Sequence, residues 1–439
     1  MLFRQVPILA IGKLGRRKRG EERTGLFCHL LDLYRFRSVV FSAMFALALN
    51  SQARLNADDQ TKVEGPKQRI PDTVSTTPNV TDQLMRQWVA QLGDDSFSKR
   101  KAATDALIKA GPVAISVLEA VSNSDNREVR ARAQSIKQKI VANAVKILAS
   151  LGVSLTPINS HEPIWLNASR SRITDADLIQ VSCLRSLVRI RLDNMPVGDE
   201  GLRHLRPLVG LTKISLRNTK VTDATINHLV GMPKLTCLNL DGCRISDEGL
   251  AAMAKLESLE EITLADTLIA DAGLAHLAHL SNLRSLSLMR TGISGDGLHN
   301  LKSLGRQMAG LQLSGIGLSD EDLEPLKHFT GLQSIYLDDT DVSAAGLVHL
   351  MSLPSLRRVW LRNTDLSDDA IAHLSCFQTM ELLNLSGTKV TPVGVGGLRK
   401  APKLQLIYVP DEFTQHDVTK LRHDFQDDSH KSKINVFWQ

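Results

Sequence analysis

The chain has 439 residues, 43% of them hydrophobic and 23% charged, a balance that excludes collagen, wholesale disorder and a polytopic membrane protein. Its formal charge of +6, from 53 basic against 47 acidic residues, points at first to a nucleic-acid or anionic-membrane partner. Location removes that reading, because residues 1–53 carry nine basic and three acidic residues while the rest hold 44 of each sign.

In chain order, the basic cluster Arg16-Arg17-Lys18-Arg19 and the pair Arg35 and Arg37 precede an uncharged run from Ser38 to Leu49 and the exit Asn50-Ser51-Gln52-Ala53. A positive segment, about a dozen apolar residues and small side chains before a cut is the order of a secretory signal, with cleavage expected after Ala53. The run falls short of the roughly 20 apolar residues a membrane helix needs, so an uncleaved anchor is the weaker alternative. Export to the periplasm, cell envelope or exterior is therefore expected, with no integral membrane segment left after cleavage. A nucleic-acid-binding tail would explain the arginines but leave the apolar run without a purpose. Residues 54–80, polar and containing Pro66, Pro71 and Pro78, read as a flexible linker.

Residues 81–150 change character. Leu84, Trp88 and Leu92 recur four apart, Gly111-Pro112 breaks one helix and starts another, and Val129, Ala133, Ile136, Ile140, Ala144 and Leu148 continue a helical face, which predicts a small all-α domain. The stretch from Trp88 through Asp95-Ser96-Phe97, the basic and Ala-rich run 99–110, Gly111-Pro112 and 125–132 resembles a HEAT-like helical repeat pair.

An internal period dominates the remainder. A leucine-type residue opening L-x-x-L-x-L stands at 187, 211, 235, 259 and 283 and, after one inserted residue, at Met308, 332, 356, Met380 and 404, with an earlier copy from Pro163. One copy reads LTCLNLDGCRISDEGLAAMAKLES. In Leu238-Asn239-Leu240 the leucines alternate inward from a strand while Asn239 points out. Leu250, Met253 and Leu256 return at helical spacing. These copies resemble leucine-rich repeats of the short bacterial, cysteine-containing type. The resemblance implies an α/β solenoid over 163–410, a horseshoe with parallel strands inside and short helices outside, followed by a cap or tail over 411–439. No repeat can bury its apolar face alone, so stacking must create the core.

Several columns recur once per repeat. Ser or Thr at the twelfth position (Thr174, Thr222, Ser246, Ser294, Ser319, Ser343, Ser367, Thr391) reads as helix N-caps, followed in most copies by Asp at the helix start, such as Asp223 and Asp247, where a carboxylate meets the helix dipole. Thr219, Thr267, Thr291, Thr340, Thr364 and Thr388 stand where many leucine-rich repeats carry asparagine, predicting a ladder of hydroxyls. His204, His228, His276, His349 and His373 share position 18, but neighbouring helices about 8–10 Å apart cannot converge their rings on a metal. They read as flank-packing residues, and His416, His423 and His430 as tail residues. No CxxC pair exists, so Cys183, Cys237, Cys243 and Cys376 read as free thiols, with a Cys237–Cys243 disulfide left open.

No nucleophile elbow, P-loop, H-E-x-x-H or kinase motif occurs. The chain is not expected to be an enzyme, and no catalytic residue, cofactor or metal site is assigned. The functional signal is the outward column at the fifth position: Arg191, Ser215, Asn239, Thr263, Ser287, Gln312, Tyr336, Trp360, Asn384, Tyr408. Three of only six aromatics between 163 and 410 lie in it. Tyr336, Trp360 and Tyr408 should line a patch roughly 15 Å long, with Arg358 and Arg362 flanking Trp360 and Asp338 beside Tyr336. Exposed Trp, Tyr and Arg together mark a protein-binding surface. The expected function is a non-catalytic scaffold binding a protein partner, not nucleic acid. Alternatives are binding of carbohydrate or an envelope polymer by the aromatics, stiffening of the last repeats, and a cytosolic adaptor of the kind found among F-box leucine-rich-repeat proteins, for which no F-box-like segment is present.

Overall fold

The computed structural model describes residues 82–157, 163–425 and 434–437. The signal, the linker and His430 lie outside the described residues, among which no helix is long and apolar enough to cross a membrane.

Four helices lead: α1 (Asp82–Gln91), α2 (Phe97–Ala110), α3 (Ile115–Ala120) and α4 (Arg127–Ser150). The long α4 starts at Asn126, whose side chain accepts the backbone N–H groups of Glu128 and Val129, an N-cap that satisfies two otherwise orphaned donors. Its expected stripe Ala133, Ile136, Ile140, Ala144 and Leu148 is buried. The face expected for α1 is displaced by one residue. Met85 and Val89 are buried with Leu92, whereas Leu84 is 38% exposed and Trp88 only half-buried. Both faces are apolar, and the one that meets α2 and α3 is selected by packing, which spacing does not encode.

The sheet has thirteen strands in sequence order: β1 (Ser154–Pro157), β2 (Pro163–Asn167), β3 (Arg189–Arg191), β4 (Lys213–Ser215), β5 (Cys237–Asn239), β6 (Glu261–Thr263), β7 (Ser285–Ser287), β8 (Gly310–Gln312), β9 (Ser334–Tyr336), β10 (Arg358–Trp360), β11 (Leu382–Asn384), β12 (Leu406–Tyr408) and β13 (Asn435–Phe437). β1 and β2 pair antiparallel, and every later pair is parallel in unbroken register. Short helices return each chain segment on the outer side, as the α/β solenoid requires. Leucine columns fill one continuous core that also takes in the buried residues of α1–α4. The first helices thus close the end of the solenoid, and Arg185 of the first coil grips Glu119 of α3 with two hydrogen bonds of 3.2 and 3.1 Å. Lys137 lies 3.7 Å from the same carboxylate. Glu119→Ala is expected to lower the stability read from the urea midpoint by about 0.5–1 kcal/mol, the usual scale for a half-exposed ion pair. An unchanged midpoint would show that the apolar contact alone holds the cap.

At the other end the 24-residue period stops. Helix α5 (Gln415–Asp424) is capped by Thr414, and the Arg422 guanidinium donates to the Val436 carbonyl of β13 at 2.6 and 3.0 Å. Phe413, Val418, Leu421, Phe425, Ile434 and Val436 are buried there. His416 and His423 therefore sit on an ordered helix rather than in a tail.

The recurring aspartates do more than meet helix dipoles. Asp223 accepts the Ser246 N–H at 2.9 Å and the Ser246 hydroxyl at 2.7 Å, from the next repeat. Asp199 to Thr222, Asp271 to Ser294, Asp320 to Ser343 and Asp368 to Thr391 repeat that double bond. Each carboxylate rivets two coils together, and its near oxygen occupies the space a side chain would need two residues past the next helix start. Glycine stands there in six cases, Gly201, Gly249, Gly273, Gly297, Gly346 and Gly394, where an added Cβ would lie 2.0–2.4 Å from the carboxylate. Thr225 fills the place once and hydrogen-bonds Asp199 instead. Where the preceding repeat lacks the aspartate, at Gly295 and Pro392, the following Ser319 and Thr414 turn to their own Asp322 and Asp417.

The hydroxyl ladder is not formed. Thr219, Thr267, Thr291, Thr340, Thr364 and Thr388 each donate within their own repeat to the carbonyl three residues back, at 2.6–2.7 Å. Each bond closes the local turn, and only Thr219 also approaches the next coil, at 3.6 Å from the Cys243 Sγ. Cys243 takes the same place in its repeat and donates to the Leu216 carbonyl at 3.0 Å. It is buried, Cys237 is half-buried on β5, and the two do not form a disulfide.

Candidate binding face

Strand alternation buries Ile335, Val359, Leu383 and Ile407 at the centres of β9 to β12 and turns the third, fifth and seventh repeat positions to the concave side. After each strand the chain leaves the sheet through a residue in the left-handed region: Asn194, Asn218, Asp266, Arg290, Asp339 and Asn363 have φ between 53° and 61°, and Gly387 stands there at 68°. Short polar residues and glycine tolerate that conformation. The repeated turn keeps the outward columns aligned from coil to coil.

Parallel register sets Tyr336, Trp360, Asn384, Tyr408 and Phe437 side by side. Tyr336 and Trp360 stack with ring centroids 3.9 Å apart and planes within 10°. Tyr408 is not part of that stack. Asn384 stands between it and Trp360, only 8% exposed, and Tyr408 packs instead on Phe437 at 5.9 Å and 36°. The expected three-ring patch is two aromatic pairs flanking a covered asparagine. Burial also pushes the Tyr408 phenol above its ordinary pKa. Leu382, covered on the same face with 8% exposure, extends the patch. Its place in the third column was legible in the repeat frame. Phe437 had no such signal, because the interval from β12 to β13 departs from the period.

Arg358 and Arg362 flank Trp360 along β10, both half-buried. Asp338 is part-buried on the same face. Its carboxylate accepts the Arg362 N–H at 2.8 Å across to the next coil, and burial, reinforced by the neighbouring Asp339 and opposed by that hydrogen bond and the Arg362 charge, raises its pKa to about 6. The same seventh column holds two covered hydroxyls, Ser314 and Ser386, 3% and 1% exposed, and neither hydroxyl oxygen makes a well-formed hydrogen bond, nor does Nε of Arg362. Asp193 and Asp241 behave like Asp338, accepting the backbone N–H of Arg217 at 3.3 Å and of Ala265 at 2.9 Å. Burial likewise raises the Asp241 pKa.

The position-18 histidines remain apart from one another. His228 Nδ1 lies 2.7 Å from the Arg206 guanidinium, and burial, aided by nearby arginines, lowers the pKa of His204 and His228. Among the described residues no group of three His, Cys, Asp or Glu side chains could hold a metal ion.

A family model described as leucine-rich repeat matches residues 231–254, one repeat length. Among solved structures, an internalin of Listeria monocytogenes is similar at 17% identity with a TM-score of 0.40, covering 66% of this chain and 93% of that one. Internalin C2 of the same organism gives 23% and 0.34, covering 59% and 88%. The ectodomain of the Arabidopsis receptor kinase HAESA, solved with an IDA peptide hormone ligand, gives 15% and 0.44, covering 68% and 53%. No curated protein sequence matches the chain.

Proposed function

We propose that this leucine-rich-repeat solenoid is a non-catalytic, exported scaffold that binds another protein through its concave face. The observation that carries the reading is the Tyr336–Trp360 stack flanked by Arg358 and Arg362, with Leu382, Tyr408 and Phe437 beside it. Rigid aromatic side chains with arginine supply large contact area at low entropic cost, which is what interface anchors require. The stack also weighs against a sugar ligand. A sugar ring packs on an open aromatic face, and here each ring covers one face of the other. Phe329 and Phe377, by contrast, are buried in the core.

A pull-down with the mature chain, run in parallel with a Trp360→Ala, Tyr336→Ala double variant, tests the site. The variant is expected to lose its partners while keeping its thermal midpoint within a few degrees. Equal recovery of the same partners by both proteins would make the stack structural. Export rests on residues 1–53 and is checked separately, by sequencing the amino terminus of the protein recovered from cells. A start at Arg54 is expected, and full-length protein in the cytosol would refute it.

A further inference from the structure

The outward columns carry a charge pattern that the neutral total of the chain conceals. Among the third, fifth and seventh positions of β3 to β12, cations occur in two groups: Arg189, Arg191, Lys213 and Arg217 at one end, Arg358 and Arg362 at the other. The face also has four acids, Asp193, Asp241, Glu261 and Asp338, but three of them lie part-buried against the sheet. Asp193, Asp241 and Asp338 each accept a backbone N–H of the next coil, and Asp193 takes the Ser215 hydroxyl as well as lying 3.3 Å from Arg191. Those carboxylates are part-buried and already hydrogen-bonded, whereas Arg189 and Arg191 are exposed and Lys213 is half-exposed. Between the two cationic groups the floor is low and uncharged over β7 and β8, made of Ser285, Ser287, Gly310 and Gln312.

We propose that the concave face holds an extended acidic segment of a protein partner, its carboxylates at Arg189 and Lys213 at one end and at Arg358 and Arg362 around Trp360 at the other. The proposal rests on the protein-binding reading above and adds the chemistry of the partner. Six to seven strand steps of about 4.8 Å separate the two groups, about 30 Å in all, which an extended chain spans in roughly ten residues. The low side chains of β7 and β8 leave room for a backbone to cross the strands there, with Glu261 before them and Tyr336 after them in the outward columns. Arginine at both ends matches carboxylates in charge and geometry.

The test uses the full mature chain as bait for a displayed library of random twelve-residue peptides, followed by fluorescence anisotropy with the enriched peptides. Enrichment of sequences with Asp or Glu toward both ends is expected. Their affinity should fall at least tenfold on raising NaCl from 50 to 500 mM and at least tenfold in an Arg189→Glu, Lys213→Glu variant of unchanged circular dichroism and thermal midpoint. Neutral or basic winners, no enrichment, or affinity within twofold after the charge reversal would overturn the proposal. So would equally tight binding of a ten-nucleotide single strand, which would mark a generic polyanion surface. The Trp360→Ala, Tyr336→Ala variant separates the two readings. If it binds the acidic peptides as well as the native chain does, the aromatic site fails while the electrostatic one stands; if only the charge reversal is without effect, the reverse holds.

Discussion

Gly249→Ala is expected to destabilise the solenoid by roughly 2–4 kcal/mol, although glycine-to-alanine inside a helix normally stabilises by up to about 1 kcal/mol. Gly249 lies in the helix Asp247–Met253, and its added Cβ would sit 2.3 Å from Asp223 Oδ1 and 2.8 Å from the Ile245 Cγ2. Either the helix shifts or the carboxylate gives up the Ser246 N–H and hydroxyl, and both disturb the seam between coils. Asp223→Ala alone loses those two bonds, at about 1.5–3 kcal/mol. The double variant is the informative one. With no carboxylate to collide with, its alanine should cost little, so the two changes should couple by about 2 kcal/mol. One seam of the protein already has that form, since Ala344 replaces the aspartate and Ala370 stands in the glycine place, fully buried. Denaturant unfolding of the four proteins measures the cycle. Costs that add within 0.5 kcal/mol would show that the aspartate and the glycine are independent.

Asp338→Asn is expected to stabilise the protein at pH 8 by about 1–2 kcal/mol. The folded chain holds the Asp338 proton up to about pH 6, against an ordinary value of 3.8. The folded state therefore binds the proton more tightly than the unfolded one, and stability falls as pH rises from about 4 to 6. Above that range the penalty is complete. A shift of about two units corresponds to about 3 kcal/mol at most, reduced by the partial exposure of the group. Asparagine keeps the oxygen that accepts the Arg362 N–H and removes the charge facing Asp339. The difference in unfolding free energy between native and variant, measured from pH 4 to 8, isolates this group from every other acid. A variant less stable at pH 8, with a flat difference across the range, would mean that the carboxylate is ionised and paired throughout.

Much of the architecture was legible because a solenoid is built from nearest-neighbour contacts. Leu238 and Leu240 bracket an outward Asn239, and the same alternation recurs every 24 residues, so strand direction, register and the concave column follow from one repeat. The aromatic site was legible to the same extent: Tyr336 and Trp360 share a column and do stack, while Tyr408 shares the column and does not join them, because Asn384 intervenes and Phe437 offers a ring from beyond the period. Helix α1 shows the complementary failure. Leu84 and Trp88 have the right spacing, yet Met85 and Val89 are the residues covered, since a three-turn helix with two apolar faces is oriented by its neighbours.

The sequence by itself determined the fold class, the inward leucines, the outward column and the absence of net charge beyond residue 53, because each depends on local period or on counting. Only the tertiary structure decided where the polar groups are spent. That the Asp223 carboxylate crosses to the next coil, that Asp338 lies part-buried against the sheet while Arg358 and Arg362 stay on the face, and that the threonine hydroxyls close their own turns all depend on distances between repeats. A single repeat read along the chain contains no such distance; it arises when one coil lies on the next, and it is there that the balance of charge on the binding face is set.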